Sequence, residues 1–134
     1  MNIVLDASAM IAFLRDEAGA EAVMDQMRQP ERNMFAHALN LCEVYYDFAR
    51  ASEEAIADEA INDLFALGIT ERNDMHAGFW RAMGRLKSSY KRVSLADCAA
   101  LALAANSDAV LLTADRHELE PMRAAGICKI DFIR

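Results

Sequence analysis

Short apolar runs alternate with helical stripes along the whole chain. Ile3-Val4-Leu5 stops at Asp6, and Met10, Ile11 and Leu14 follow at helical spacing, which predicts a buried strand feeding a helix. Asp16-Glu17-Ala18-Gly19 breaks the pattern, and Ala22, Val23, Met24 and Met27 mark a second helix ending near Pro30. Met34-Phe35-Ala36 reads as a second strand. From about Leu39 to Arg50 a helix carries Asn40, Glu43, Asp47 and Arg50 as one polar stripe, its other positions being largely apolar. Ser52 is the expected cap of the next helix, which holds Ile56, Ala60, Ile61, Leu64, Phe65 and Leu67 before Gly68 ends it. Ile69-Thr70 is a brief edge strand. A helix from about Asp74 has Phe79, Trp80, Met83 and Leu86 as its apolar stripe, which assigns Trp80 to the core. Cys98 to Ala105 is apolar on every side, the mark of a buried helix. Ala109 to Thr113 is the clearest strand. A last helix from about Glu118 to Ala125 stops at Gly126, and Ile127 to Ile133 forms an edge strand with Lys129 and Asp131 facing outward.

Strands that alternate with helices in this way predict an α/β fold: a central, mostly parallel sheet of four to five strands with helices on both faces. The 134 residues suit one domain, residues 1–134, and neither a linker nor a repeat divides them. No apolar run approaches the roughly 18 to 20 residues of a membrane span. Asp6 stands where a signal peptide would carry Lys or Arg, so a cytoplasmic location is expected. Cys42, Cys98 and Cys128 form no metal-binding or disulfide pattern and read as reduced, mostly buried hydrophobes.

The net charge of -7 excludes a protein that coats nucleic acid by bulk electrostatics. Local charge differs. Arg81, Arg85, Lys87, Lys91 and Arg92 form a segment without an acid, which is either a solvated helix face or a grip on an anionic partner.

Four acids change the picture. Asp6 and Asp115 stand just beyond the ends of two strands, where ligands bind in open α/β sheets. Asp97 is the one charge in the buried helix, and Ser94-Leu95-Ala96-Asp97 has capping-box spacing. Glu43 lies on the polar stripe, which faces either solvent or an acidic cleft. Helix capping accounts for Asp6 and Asp97 without function. Convergence accounts for all four, but two unit charges about 4 Å apart repel by about 4 kcal/mol at an effective dielectric of about 20. A cation is therefore implied, and an all-oxygen donor set selects Mg²⁺ or Mn²⁺, the ions of phosphodiester chemistry.

Ile3-Val4-Leu5-Asp6-Ala7-Ser8, Leu39-Asn40-Leu41-Cys42-Glu43-Val44, Ser94-Leu95-Ala96-Asp97 and Leu112-Thr113-Ala114-Asp115 together resemble the four blocks of the PIN domain nucleases, most strongly the compact VapC-like toxins. The resemblance implies a Mg²⁺- or Mn²⁺-dependent endoribonuclease, often a homodimer, with an antitoxin protein whose tail occupies the cleft. It assigns Asp6, Glu43 and Asp97 to the central metal site, Asp115 to the fourth acid position and Thr113 to a supporting hydroxyl. Ser8 and Asn40 fall at supporting polar positions. Glu118 and Leu119 depart from the usual pattern after the last block. With Mg²⁺ held by the acids, water attacks phosphorus in line, leaving a 5′-phosphate and a 3′-hydroxyl. Arg81, Arg85, Lys87, Lys91 and Arg92 are the expected grip on the RNA, with Arg116 close to the cleft.

Two other readings compete. A non-catalytic PIN-fold module would bind RNA or a protein and leave the acids idle. A phosphatase of the haloacid dehalogenase kind also begins with a strand ending in Asp, but Ser8 stands where its second acid belongs.

Overall fold

A computed structural model describes all residues, Met1–Arg134. Five strands, β1 (Asn2–Leu5), β2 (Asn33–His37), β3 (Ile69–Arg72), β4 (Ala109–Thr113) and β5 (Lys129–Phe132), form one sheet in the order β3-β2-β1-β4-β5. Every pairing is parallel. The central position of β1 explains why Ile3, Val4 and Leu5 are an unbroken apolar run: both faces of the strand are covered.

Seven helices divide between those faces. Val4, Leu111 and Ile130 point to one side, where α5 (Ala77–Ser89), α6 (Leu95–Asn106) and α7 (Arg116–Ala124) close a core that includes Phe79, Met83, Leu101, Leu103 and Leu119. Ile3, Leu5, Met34, Ala36 and Leu112 point to the other. There α1 (Ala7–Leu14), α2 (Ala20–Met27), α3 (Ala38–Ala51) and α4 (Glu54–Ala66) contribute Met10, Val23, Leu41, Val44 and Leu64. Helix α6 is buried continuously from Cys98 to Ala104, as its uncharged sequence requires. Its alanines let the helix lie close to the sheet.

Turns set the path. Gly19 has φ +98°, and a Cβ there would lie 2.7 Å from Ile133 Cγ1 and 2.8 Å from the Ile133 carbonyl oxygen. Gly19→Ala therefore combines a left-handed backbone penalty with a backbone clash. We expect a loss of roughly 2 to 4 kcal/mol in urea unfolding, against a gain of about 0.5 to 1 kcal/mol for Gly84→Ala on the open face of α5.

Several expectations need correction. Ser52 is the C-cap of α3, and α4 begins after Glu53 with no side-chain cap, because the two helices are joined too tightly for Ser52 to serve the second. Helix α5 starts at Ala77, not near Asp74: the His76 ring accepts the Phe79 N–H, while Asp74 is held in the preceding loop by a two-pronged pair with Arg72 at 3.0 and 2.8 Å. That guanidinium holds the Asp74 carboxyl below its usual range. Trp80 is 48% exposed rather than core, since Phe79 and Met83 already fill the buried side of α5. Cys42 is exposed, whereas Cys98 is buried and Cys128 half-buried.

Candidate active site

Helices α1, α6 and α7 open toward the carboxyl edge of the sheet around β1 and β4, and α3 opens from the end of β2. Asp6 caps α1. Its Oδ1 accepts the Ala9 N–H at 2.9 Å and the Ser8 hydroxyl at 2.7 Å, so the capping and ligand readings are compatible rather than exclusive. Ser8 Oγ accepts the Ala114 N–H at 2.9 Å and lies 3.2 Å from Thr113 Oγ1, which in turn accepts the Asp115 N–H at 3.0 Å. These two hydroxyls stitch the end of β1 to the end of β4. Asp115 caps α7 by accepting the Glu118 N–H at 3.2 Å.

Asp97 stands in the first turn of α6, whose cap is Ser94 accepting the Asp97 N–H at 3.1 Å. Asn40 is fully buried beneath it. The Asn40 amide oxygen accepts the Ala7 N–H, and its NH₂ donates to the Ala96 carbonyl, each at 3.3 Å. One side chain thus ties the residue after Asp6 to the residue before Asp97. His37 anchors the start of α3 from below: Nδ1 accepts the Leu39 N–H, which leaves the proton on Nε2 to donate to the Asp74 carbonyl at 2.9 Å.

A cleft of about 260 Å³ results, lined by Asp6, Glu43, Asp97 and Asp115 together with Ser8, Tyr46, Asp47 and Arg50. All four predicted acids line it. The close carboxylate group is narrower: oxygens of Asp97, Asp115 and Glu118 lie within 4.8 Å of one another, Glu118 coming from the neighbouring groove, while Asp6 and Glu43 stand outside that trio. Burial pushes Asp97 up to about 7, with the Asp6 and Glu43 carboxylates next in importance and Asp115 adding less. Burial raises Asp6 against the pull of Thr113, Ser8 and the Ala9 N–H. Glu43 is raised by burial and then by Asp6, while the Tyr46 hydroxyl favours its ionised form. Crowded carboxylates without a cation among them are an oxygen-only donor set suited to a hard divalent ion.

The polar stripe of α3 is the cleft wall. Glu43, Asp47 and Arg50 line the cleft and Asn40 lies under it, which resolves the two readings left open by periodicity. Tyr46 and Arg50, which sequence reasoning passed over, stand at the mouth. The stripe itself was the signal for Arg50.

The expected RNA grip divides. Lys91 and Arg92 line a groove of about 400 Å³ with His117 and Glu118, next to the acids. Lys87 instead braces its own loop, donating to the Lys91 and Val93 carbonyls. Arg85 lies against Ala102 and Ala105 on the far half of α6, and Arg81 stacks on Trp80 at 4.6 Å. Arg116 turns away from the acids: its guanidinium covers Phe132 at 4.5 Å and donates to the Arg134 carbonyl, because the end of β5 offers both an aromatic face and an unpaired carbonyl.

No helix is long and apolar enough to cross a membrane. A comparison with curated protein sequences gives no match. Among solved structures, the chain is similar to VapBC2 from Rickettsia felis bound to a promoter DNA fragment (TM-score 0.75, 13% identity, 98% of each chain covered). It is also similar to DNA-bound VapBC from Salmonella typhimurium (0.73, 14% identity, 100% of this chain and 99% of that one). A third is VapC20 from Mycobacterium tuberculosis, described as a sarcin-ricin loop cleaving toxin (0.64, 15% identity, 81% and 86%). The PIN domain model matches residues 3–122 in sequence. Because that match runs from the first strand into the last helix, the chain belongs to the PIN domain family.

Proposed function

We propose that this chain is a Mg²⁺-dependent endoribonuclease, with Mn²⁺ able to substitute, and the toxin of a toxin–antitoxin pair. The observation that supports it most is the single cleft in which Asp97 faces the Asp6, Glu43 and Asp115 carboxylates. Those residues would hold the ion, with Glu118 extending the donor set. When bound, a hard divalent cation supplies the Lewis acidity that makes water a competent nucleophile near neutral pH and offsets charge building on the phosphate.

The protein's own groups do the rest. Ser8 and the Ala9 N–H fix one oxygen of Asp6 and leave the other for ligation. Asn40 sets the spacing between Asp6 and Asp97. Lys91 and Arg92 are placed to draw the RNA backbone toward the acids, and the remaining acidity of the chain disfavours indiscriminate RNA binding. VapBC complexes among the structural neighbours, and a neighbour described as cleaving the sarcin-ricin loop, support an antitoxin partner and a structured RNA substrate. A homodimer and inhibition of translation belong to the same reading.

The test is cleavage of total RNA by the purified chain with Mg²⁺ and with chelator, followed by end mapping. We expect cleavage only with metal, leaving 5′-phosphate and 3′-hydroxyl ends. Cyclic 2′,3′-phosphate ends would mark attack by the ribose hydroxyl and reject the proposal. A pH dependence follows as well. Protons compete with the ion for Asp97, whose carboxyl sits at about 7 in the metal-free chain. Apparent Mg²⁺ affinity should therefore weaken by roughly tenfold for each pH unit below about 7 and level off above it. Calorimetric titration across that range checks the slope, and a flat profile would remove Asp97 from the ligand set.

A further inference from the structure

The mouth of the cleft holds a feature that metal binding does not use. Arg50 is the one cation lining it, among five carboxyl-bearing neighbours that attract positive charge. Its obvious partner is largely taken: Asp47 Oδ2 pairs with Arg15 at 2.8 Å, whereas Arg50 reaches Asp47 Oδ1 only at 3.9 Å. An exposed pair at that distance contributes little. The Arg50 side chain is 75% exposed, and its guanidinium rests 5.4 Å from the centre of the Tyr46 ring, which keeps it at the cleft mouth. Tyr46 is itself 46% exposed.

We propose that Tyr46 and Arg50 form a one-nucleotide subsite on α3: the Arg50 guanidinium takes the RNA phosphate next to the scissile one, and the exposed Tyr46 ring receives the adjoining base. This deepens the ribonuclease reading and rests on it. A planar guanidinium matches two phosphate oxygens at once, which the point charge of Lys does not. A base stacks on an aromatic face with little sequence preference, so the pair suits unpaired RNA. Helix α3 is rigidly seated by Leu41, Val44 and Asn40, and the same helix carries Glu43 one turn before Tyr46. Phosphate and metal subsites are consequently held at a fixed spacing.

The test is binding of a fluorescein-labelled, single-stranded RNA of random sequence to the full chain by anisotropy over a range of salt, with Ca²⁺ in place of Mg²⁺ so that the probe stays intact. For Arg50→Ala we expect about a tenfold loss of affinity and a salt slope shallower by about 0.7, the value of one phosphate contact on a single strand. Arg50→Lys should restore the slope but not all of the affinity. Tyr46→Leu should weaken binding about tenfold with the slope unchanged, while Tyr46→Phe, which keeps the ring and loses only the hydroxyl beside Glu43, should bind like the parent. Arg28→Ala, at the C-cap of α2 beside Asp25 and outside the cleft, should change neither. If Arg50→Ala binds RNA with the parental affinity and slope, the subsite is wrong while the nuclease reading stands. If the parental chain does not bind this RNA, the subsite is wrong, and if it also fails to cleave total RNA with Mg²⁺, the nuclease reading falls with it.

Discussion

Asp97→Asn is expected to abolish the proposed Mg²⁺-dependent RNA cleavage and, in the absence of metal, to make the chain more stable at neutral and alkaline pH. The two effects have one cause. Asp97 sits half-buried against three other carboxylates, so its charged form is disfavoured until a cation arrives. Asn keeps the shape and the Ser94 cap, whose bond uses the backbone N–H at residue 97. What it loses is the charge and one strong ligand, and we expect cleavage to fall by about three orders of magnitude or more. On the stability side, the folded carboxyl lies at about 7, above the ordinary aspartate value of 3.8. A raised acid stabilises the fold while protonated, so its contribution is complete below the unfolded value and lost as pH rises through the folded one. The metal-free parent should thus melt at lower temperature as pH climbs from about 4 to about 8, and the Asn variant should lose the share of that decline that Asp97 causes, keeping the part due to Asp6 and Glu43. Allowing for solvent screening, the gap near pH 8 is on the order of 2 kcal/mol. Added Mg²⁺ reverses the order by stabilising the parent alone. Parallel melts and cleavage assays check this, and parental cleavage by Asp97→Asn would overturn the metal assignment.

The fold was legible because the strands are short, nearly pure apolar runs and α6 carries one charge. Both faces of β1 are covered, so a fully buried strand has no amphipathic ambiguity about its membership of the core. Convergence of the acids followed from topology: β1 and β4 are neighbours, so Asp6 and Asp115 share an edge. Periodicity did less well where a helix has apolar residues in excess of the space beneath it. Trp80 shares a stripe with Phe79, yet Phe79 takes the buried position against the His37 ring at 5.3 Å and Trp80 is displaced outward. Basic residues were read as one cluster because they are close in sequence, but a helix sends neighbours in different directions. Lys87 serves its own loop, while Lys91 and Arg92, beyond the helix end, reach α7. Glu118 was obscured for a related reason: its place beside Asp97 depends on the Asp115 cap that turns the start of α7 toward the cleft.

Asn40→Ala should separate the positioning of the acids from their identity. Asn40 touches no ion in the proposed site and is fully buried, yet its two bonds link the backbone next to Asp6 with the backbone next to Asp97. Removing the amide leaves the buried Ala7 N–H without its partner, takes from the Ala96 carbonyl a donor beyond its own helical bond, and opens a small void. We expect a loss of about 2 to 4 kcal/mol in urea unfolding. The chain still folds, because the cores on the two sheet faces do not pass through this residue. Groups that orient ligands typically carry about 10- to 100-fold in metal affinity, and Mg²⁺ binding should weaken by that amount. Cleavage at saturating Mg²⁺ should remain about tenfold or more below the parent, since misplaced ligands hold the ion in the wrong relation to phosphate. KM for RNA should move less than kcat, because the proposed contacts of Lys91 and Arg92 lie in a groove that Asn40 does not line. Asn40→Asp is the sharper control: it retains an acceptor for the Ala7 N–H, cannot donate to the Ala96 carbonyl when ionised, and adds a negative charge to an already crowded cluster. Its metal-free stability should fall below that of Asn40→Ala as pH rises. Parental Mg²⁺ affinity in Asn40→Ala would show that Asp6 and Asp97 hold their spacing without this link.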